Sequence, residues 1–345
     1  MSASLQQASN PSATEMAAAP VLELRNVTRK FGARPDLAER IAIGLKLARP
    51  RSVVHAVDGV DLKVKVGEVL GLVGESGCGK STLGRIAAGI LPPSSGSVLW
   101  KGQDRASMTQ RQRHAADLDI QMIFQNPMAA LNPRMTISEI VAEAPRAHRL
   151  IDGPEEPYVD RYLKMSGFDP AMKRRFSHQF SGGQRQRVNI ARALAVQPEF
   201  LVCDESVAAL DVSIQAQVIN LFMDLRETLG LTYLFVSHDL GVVEHISDRV
   251  AIMYLGRIVE EAGAEDIFAR SNHPYTQALL SEIPRIETTK RRFSPVKGEL
   301  PSPLSPPSGC HFHPRCPHAT KRCREEAPLL REIAPGHRSA CHLNG

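Results

Sequence analysis

Two short segments combine the residue types that bind a nucleoside triphosphate and its metal ion. Residues 74–81 fit the spacing G-x-x-x-x-G-K-[ST], in which glycine backbone N–H groups and a lysine cradle phosphate oxygens. Well downstream, an apolar run ends in Asp204-Glu205, two carboxylates that suit Mg²⁺ binding and activation of a water molecule. The alternatives are a Gly-rich turn that binds nothing and an acidic pair that only caps a helix. Together, the two segments favour phosphoryl chemistry.

Each position of the first segment has an expected contact. The glycines let backbone N–H groups turn toward the phosphates, and Lys80 adds a full positive charge. Ser81 is expected to place its hydroxyl on Mg²⁺, with Asp204 holding the ion through water and Glu205 orienting the attacking water. The residues expected to surround the nucleotide in this loop are Gly74, Glu75, Ser76, Gly77, Cys78, Gly79, Lys80, Ser81 and Thr82.

A third segment, Ser181-Gly-Gly-Gln184, precedes a run with apolar residues at helical spacing. Ser181 is a natural N-cap, and Gly182 and Gly183 leave the first N–H groups of the helix uncovered, which makes a second anion site without a lysine. A small domain cannot easily fold both phosphate-binding surfaces around one γ-phosphate. A head-to-tail pair of modules solves this problem, because each Ser-Gly-Gly segment then closes on ATP held by the other module.

Buried strands and the helices that follow them must position these segments. Residues 68–73 and 200–203 are short apolar runs typical of buried parallel strands, and residues 81–88 and 185–195 have the spacing of helices. Acids at the carboxyl end of such a strand lie where ligands bind in α/β sheets. The sequence therefore predicts an α/β fold with the nucleotide at the strand ends.

The combined segments resemble the ATP-binding cassette of ABC transporters over about residues 21–268. The resemblance implies a P-loop nucleotide-binding domain with a RecA-like core, an antiparallel β subdomain and an α-helical subdomain. It also implies that Gln125 contacts Mg²⁺ and senses membrane subunits, that Asp211 faces the opposing site, and that His238 contacts the γ-phosphate. The expected catalytic residues are Glu205, His238, Lys80 and Gln125, and the expected Mg²⁺ ligands are Ser81, Gln125 and Asp204.

Three positions depart from the usual pattern of this family. Phe180 stands where leucine is commoner, Ser206 stands where proline is usual, and Ala208 stands where serine is usual. None of these changes removes a catalytic group, although Ser206 could loosen the turn that aims Glu205. Phe31 is the candidate for stacking on the adenine ring, with a packed core aromatic at the end of a strand as the equal alternative.

Composition divides the chain into parts. Residues 1–20 are rich in Ala, Ser and Gln and are predicted to be disordered, residues 21–270 form the cassette, and residues 271–345 form a C-terminal extension. An insertion at residues 33–52 has a basic amphipathic pattern that suits a membrane-facing segment or, as the favoured alternative, a helix packed on its own domain. Residues 133–180, which are helix formers broken by prolines, suit the helical subdomain.

The extension begins with His273-Pro-Tyr-Thr-Gln-Ala-Leu-Leu280 and continues as a Pro- and Ser-rich linker toward a small irregular unit. This string resembles the C-terminal extension of oligopeptide and dipeptide importer ATPases, and of relatives that import nickel, glutathione or opines. The phosphate loop and the segment after Gln125 resemble the F-type subunit.

This second resemblance implies partners and a location. The partners are a second cassette, expected to be a homologous D-type chain, two transmembrane permease subunits and, indirectly, an extracytoplasmic solute-binding protein. The chain would be a peripheral protein on the cytoplasmic face of the inner membrane, with ATP and Mg²⁺ as its cofactors.

The six cysteines divide into two sets. Cys78 and Cys203 lie inside the nucleotide segments and are expected to be buried and inert. The other four leave open a four-thiolate iron–sulfur cluster, a structural Zn²⁺ with nearby histidines, or free thiols; they are Cys310, Cys316, Cys323 and Cys341. Members of the importer family carry a [4Fe-4S] cluster on a matching pattern, and this resemblance favours the cluster over zinc and zinc over free thiols.

Composition and spacing argue against several other classes. No apolar run approaches the roughly 20 residues needed to cross a bilayer, and the first residues lack the basic start of a secretory signal. The net charge is only +5 with scattered basic residues, which does not favour nucleic acid. Lys80 and Ser181 are 101 positions apart, too close for the coiled coils of DNA-repair ATPases. The single set of motifs argues against a ribosome-associated two-cassette protein, and the extension argues against an exporter.

Overall fold

The computed structural model describes residues 20–32, 53–208, 210–282 and 298–344. The predicted disordered start, the insertion at residues 33–52 and part of the proline-rich linker lie outside these residues. Within the described ranges, the chain folds into two sheets with helices packed around them. The architecture agrees with the predicted α/β fold of the cassette.

A four-stranded antiparallel sheet forms the β subdomain. Its order is β2-β1-β4-β5, and its strands are β1 (Pro20–Phe31), β2 (Val54–Lys65), β4 (Ser95–Trp100) and β5 (Gln103–Asp104). The second half of β2 alternates between buried and exposed residues, as expected of a sheet with one covered face. That covered face shares one apolar core with the helix after the phosphate loop and with the central sheet.

The central sheet has eight strands in the order β11-β12-β10-β9-β3-β8-β7-β6. The five strands from β9 to β6 run parallel. The strands are β3 (Val69–Val73), β6 (Ile120–Ile123), β7 (Phe200–Asp204), β8 (Thr232–Ser237), β9 (Arg249–Tyr254), β10 (Arg257–Gly263), β11 (Arg331–Ala334) and β12 (His337–Ser339). Every residue of β3, β7 and β8 is buried, which confirms the two predicted buried strands.

Helices cover both sheets and build the helical subdomain. They are α1 (Lys80–Ala87), α2 (Gln110–Asp119), α3 (Pro127–Ala130), α4 (Ile137–Ala147), α5 (Glu155–Met165), α6 (Gly182–Leu194), α7 (Val212–Leu229), α8 (Leu240–Ile246), α9 (Ala264–Arg270), α10 (Pro274–Ser281) and α11 (Lys321–Glu325). Helices α4 and α5 pack on α6, so the helical subdomain is joined directly to the Ser-Gly-Gly segment. None of these helices in the described part of the chain is long and apolar enough to span a bilayer.

The C-terminal extension is built onto the central sheet. Strand β12 pairs antiparallel with β10, and β11 pairs with β12. Beneath this junction, buried Glu260 accepts the backbone N–H groups of Asn272 and His273 at 2.6 and 3.0 Å, and Nε2 of His337 lies 2.7 Å from its Oε1. The sequence predicted an irregular unit here. It missed the two strands because both are short. Strand β11 is exposed along its whole length, and β12 consists only of polar residues although its burial alternates, so neither shows an apolar alternation in the sequence.

Candidate nucleotide-binding site

The carboxyl ends of four parallel strands meet at one edge of the central sheet. The register places the last residues of β3, β6, β7 and β8 level with the neighbouring strand ends to within one residue. The phosphate loop follows β3, Gln125 follows β6, Glu205 follows β7 and His238 follows β8. Four segments far apart in the sequence therefore emerge side by side, at the edge where ligands bind in parallel sheets.

The phosphate loop approaches neighbouring backbone so closely that two of its positions require glycine. A Cβ at Gly74 would lie 2.1 Å from the carbonyl oxygen of Met253. A Cβ at Gly79, where φ is 110°, would lie 2.0 Å from the carbonyl oxygen of Ala56. The buried Lys80 donates its ammonium hydrogens to the carbonyl oxygens of Gly74, at 2.7 Å, and Glu75, at 3.0 Å. Its charge thus lies over the loop, at the start of α1.

Two oxygen ligands suited to a hard cation are already paired beside the loop. The Ser81 hydroxyl donates to Oδ1 of Asp204 at 2.8 Å, and Asp204 is buried. Burial raises the pKa of the Asp204 carboxyl, while the hydrogen bond from Ser81 opposes that rise. A buried carboxylate with too little compensating charge gains most from a divalent cation, so these residues fit Mg²⁺.

Glu205 is the point at which three of the four predicted catalytic residues meet. Gln125 donates from Nε2 to Oε2 of Glu205 at 2.5 Å, and Nδ1 of His238 lies 3.4 Å from Oε1. The glutamate side chain is 12% exposed, whereas the His238 side chain is 54% exposed. One carboxylate oxygen is therefore oriented by an amide and the other by an imidazole, a geometry in which the carboxylate can orient a water molecule.

The turn that carries Glu205 is fixed at both ends. Glu205 has a left-handed backbone, with φ at 46°, which is uncommon for a residue other than glycine. Its N–H donates to the carbonyl oxygen of Val236 at 2.9 Å, and its carbonyl accepts the N–H of Ala208 at 3.1 Å. These bonds hold the turn although Ser206 replaces the usual proline.

The Ser-Gly-Gly segment begins α6 with a reciprocal cap. The Ser181 hydroxyl accepts the N–H of Gln184 at 3.4 Å, and Oε1 of Gln184 accepts the N–H of Ser181 at 3.1 Å. A Cβ at Gly183 would lie 2.5 Å from Cγ2 of Ile214, whereas one at Gly182 would have 3.8 Å to its nearest neighbour. Close packing against α7 therefore requires the second glycine, a role that the sequence analysis missed.

Phe31 and Asp211 both occupy exposed ends of elements near the site. Phe31 ends β1, is 39% exposed and pairs with Val54 of β2. Two residues after Val54, the carbonyl oxygen of Ala56 lies close to Gly79 of the phosphate loop. The Arg29 guanidinium lies 4.7 Å from the centre of its ring. Asp211 is the N-cap residue of α7 and makes no capping hydrogen bond through its side chain.

Two residues of the extension reach the phosphate loop, and the sequence analysis assigned neither to the site. The Glu75 N–H donates to the Tyr275 hydroxyl at 2.9 Å, and Arg315 donates from Nη1 to both carboxylate oxygens of Glu75 at 2.8 and 3.0 Å. Tyr275 lies within the His-Pro-Tyr string, which is a sequence signal without a stated role. No spacing or composition marks Arg315.

All six cysteines are free thiols. Cys78 and Cys203 are buried, as predicted, and burial raises the pKa of both thiols, that of Cys78 to about 11. Among the residues that the structure describes, no group of three or more His, Cys, Asp or Glu side chains has the arrangement of a metal site. The structure therefore lends no direct support to the predicted iron–sulfur cluster or to its zinc alternative.

The four cysteines of the extension nevertheless lie near one another. Burial raises the pKa of the Cys310 thiol to about 11, and the thiols of Cys323, Cys341 and Cys316 raise it further. Backbone N–H groups two residues ahead oppose the effect of burial by lowering the thiol pKa at three of the cysteines; they are Phe312 for Cys310, His318 for Cys316 and Leu343 for Cys341. The Thr320 hydroxyl lies 3.3 Å from the sulfur of Cys323.

A phosphate loop after β3, an acidic pair at the end of β7 and a capped Ser-Gly-Gly helix define an ATP-binding cassette. Residues 57–208 match the model of the ABC transporter family, and residues 259–323 match that of the oligopeptide/dipeptide transporter C-terminal region. The chain belongs to the ABC transporter family as one of its ATP-hydrolysing subunits.

Comparison with known proteins covers nearly the whole chain. It is 48% identical to the oligopeptide transport ATP-binding protein AppF of Bacillus subtilis, over 94% of this chain and 97% of that protein. Among solved structures, it resembles the cassette MJ0796 bound to ADP and phosphate, with 27% identity, a TM-score of 0.60, and 70% of this chain and 98% of that one covered. It also resembles cbiO1 of Clostridium perfringens, with 26% identity, a TM-score of 0.59, and 73% and 91% covered.

Proposed function

We propose that this chain hydrolyses ATP to energise the import of peptides or closely related small solutes through separate membrane subunits. The observation that carries the proposal is the match of 94% of the chain to an oligopeptide transport ATP-binding protein, together with the match of the extension to the oligopeptide/dipeptide transporter C-terminal region. The partners are two permease subunits and a second cassette of the D type, and an extracytoplasmic binding protein delivers the solute. The chain would then work at the cytoplasmic face of the inner membrane.

Within the cassette, the catalytic roles follow from the contacts around Glu205. Glu205 orients and accepts a proton from the attacking water, and Gln125 and His238 hold its two oxygens. Lys80 and His238 would bind the γ-phosphate, while Ser81, Asp204 and Gln125 would hold Mg²⁺, which when bound would supply positive charge to the phosphates. The N–H groups of the glycines at 74, 77 and 79 bind the phosphates, and Phe31 stacks on adenine.

Two cassettes close head to tail in this proposal. The N-terminus of α6, with Ser181, Gly182 and Gly183, faces the γ-phosphate held by the partner cassette, because helix N–H groups favour anions. Asp211, whose side chain is not used for capping, lies three residues before Ile214, the residue that packs on Gly183. The movement of the two cassettes on closure would be transmitted to the membrane subunits through the region of Gln125.

The test is solute uptake by cells with and without this chain. Cells that lack it are supplied with labelled peptides, Ni²⁺ or glutathione in parallel, and the wild-type chain or a Glu205→Gln variant is restored. A peptide-uptake defect that only the wild-type chain repairs is the expected result. A defect confined to Ni²⁺ or glutathione would overturn the peptide assignment, and unchanged uptake of all three would overturn the importer itself.

We further propose that the four cysteines of the extension hold a [4Fe-4S] cluster, with Zn²⁺ as the alternative. The support is chemical: at three of the cysteines a backbone N–H two residues ahead lowers the thiol pKa against the effect of burial, and the fourth has a hydroxyl neighbour, and such groups favour thiolates. The ligands would be Cys310, Cys316, Cys323 and Cys341. When bound, the group would cross-link this part of the extension through its bonds to the four thiolates.

Metal analysis of anaerobically purified protein decides between the two. Near-stoichiometric iron and sulfide, with absorbance near roughly 400 nm that Cys316→Ser abolishes, is the expected result. One zinc per chain without colour would replace the cluster by a structural zinc. Absence of both metals would leave four free thiols and reject the ligand set.

A further inference from the structure

The Cys-rich part of the extension holds the phosphate loop through one ion pair. Arg315, next to Cys316 in the sequence, is 6% exposed and donates to both carboxylate oxygens of Glu75, which is 26% exposed. The guanidinium also lies 5.8 Å from the centre of the Tyr254 ring. A shielded ion pair packed on an aromatic ring keeps a fixed geometry, unlike a pair in open solvent.

Glu75 links three parts of the molecule through three different groups. Its carboxylate accepts from Arg315 of the extension, and its N–H donates to the hydroxyl of Tyr275 in α10. Its carbonyl oxygen accepts from the ammonium of Lys80 at 3.0 Å. Glu75 is therefore the single residue through which the contacts of Arg315 and Tyr275 reach Lys80.

A buried aromatic cluster completes the path back to the thiols. The ring centres of Tyr254 and Tyr275 are 4.6 Å apart, and those of Phe312 lie 5.3 Å from Tyr254 and 5.4 Å from Tyr275. All three rings are fully buried. Cys310 packs against the apolar core that contains these three rings, so contacts lead from its thiol through the aromatic cluster to the phosphate loop.

The charge on Glu75 explains why this contact matters for ATP. Glu75 brings a carboxylate to a loop that binds a triphosphate, so the carboxylate repels the ligand unless a cation compensates it. Arg315 is that cation. Without it, the carboxylate would also be free to compete with the phosphates for Lys80.

We propose that Arg315 and Tyr275 are positioning residues for ATP binding, so that the extension sets the affinity of the phosphate loop for ATP. Arg315 does so by neutralising Glu75, and Tyr275 by holding the Glu75 N–H. Any change that displaces the Cys-rich unit is then expected to weaken ATP binding in the same chain. This proposal rests on the ATP-hydrolysing reaction of the family and not on the identity of the solute or metal.

A double-mutant cycle on the full-length chain tests the proposal. Arg315→Ala is expected to weaken equilibrium binding of ATP by about tenfold. Adding Glu75→Gln to Arg315→Ala removes the uncompensated charge and is expected to restore affinity to within about twofold of Glu75→Gln alone. A merely structural arginine would give the same loss in both backgrounds. Arg322→Ala, which breaks an exposed ion pair with Glu326 in the same unit, is the matched control and should leave ATP affinity unchanged.

Two further variants separate charge from hydrogen bonding. Arg315→Lys keeps the cation and should retain affinity within about threefold, whereas Tyr275→Phe should weaken ATP binding by about threefold through the lost acceptor. For both, the effect should fall on KM for ATP more than on kcat. Wild-type ATP affinity in Arg315→Ala, or a loss that Glu75→Gln fails to relieve, would overturn the proposal. Metal content is measured on the same samples, so loss of metal with unchanged ATP affinity also counts against it.

Discussion

The nucleotide edge of the central sheet and the C-terminal extension both gather reactive side chains, but they do so by different means. At the edge, each group follows the end of a parallel strand, and the hydrogen-bond ladder fixes its position. In the extension, the four cysteines lie in a loop, in α11 and just after β12. Their positions depend on contacts with the cassette. A site made by strand ends can thus be identified from local motifs, whereas a site made by docking requires the whole fold.

The largest effect is expected from a substitution that removes a catalytic group at the nucleotide edge and leaves the extension unchanged. Glu205→Gln keeps the size of the side chain but loses the carboxylate, so hydrolysis should fall by about 10²- to 10⁴-fold while ATP binding persists. Phosphate release and equilibrium binding of ATP are the two measurements. Glu227→Gln, an exposed change on α7, is the control and should hydrolyse ATP normally. Turnover by Glu205→Gln at the wild-type rate would remove this residue from catalysis.

A second prediction concerns the acid sensitivity of the docked extension. His273 is buried, and burial lowers its pKa from 6.5 to about 4. The folded protein therefore keeps it neutral while the unfolded chain takes up a proton, so stability is lost as the pH falls from about 6.5 toward 4, by about 3 kcal/mol.

The matched variant for this prediction is His273→Asn. An asparagine can still accept the N–H of Tyr275 as an N-cap but cannot be protonated in this range. Urea unfolding at several pH values should show a smaller loss of stability below pH 6.5 in the variant. An identical pH dependence of the two proteins would show that another group controls the acid response.

The smallest expected effect on stability has the opposite sign and lies at the nucleotide edge. Burial raises the pKa of Asp204, so at neutral pH the ionised carboxylate costs stability in the folded protein without Mg²⁺, and that cost disappears as the pH falls below its pKa in the unfolded chain. Asp204→Asn should therefore raise the Tm of the nucleotide-free protein in chelator by about 1 to 4 °C and abolish Mg²⁺-dependent hydrolysis. Scanning calorimetry checks the first effect. A lower Tm would show that the hydrogen bond from Ser81 outweighs the burial cost.

The sequence predicted most of the fold of the cassette but only part of its site. Residues 74–81 and Asp204-Glu205 were readable because each forms a contiguous motif beside an apolar strand. The role of Gly183 in packing against α7 was not, since it depends on Ile214 of another helix.

Contacts across the longest sequence separations were also beyond prediction. Arg315 and Glu75 are 240 residues apart, and nothing in either local segment specifies the other. Strands β11 and β12 are equally hard to predict, because four exposed residues and three polar residues give no periodic apolar signal in the sequence. In both cases the information lies in how the extension docks and not in its own pattern.

The pairing of β12 with β10 also protects the sheet from its own edge. A cassette cut before residue 298 would leave β10 with unpaired backbone N–H and C=O groups and would strip buried Glu260 of His337. Open edges of this kind recruit strands from other chains and drive aggregation. The extension thus covers the edge strand β10 of the sheet. A shortened protein would need another way to protect this edge, such as charged substitutions along β10, to stay monodisperse.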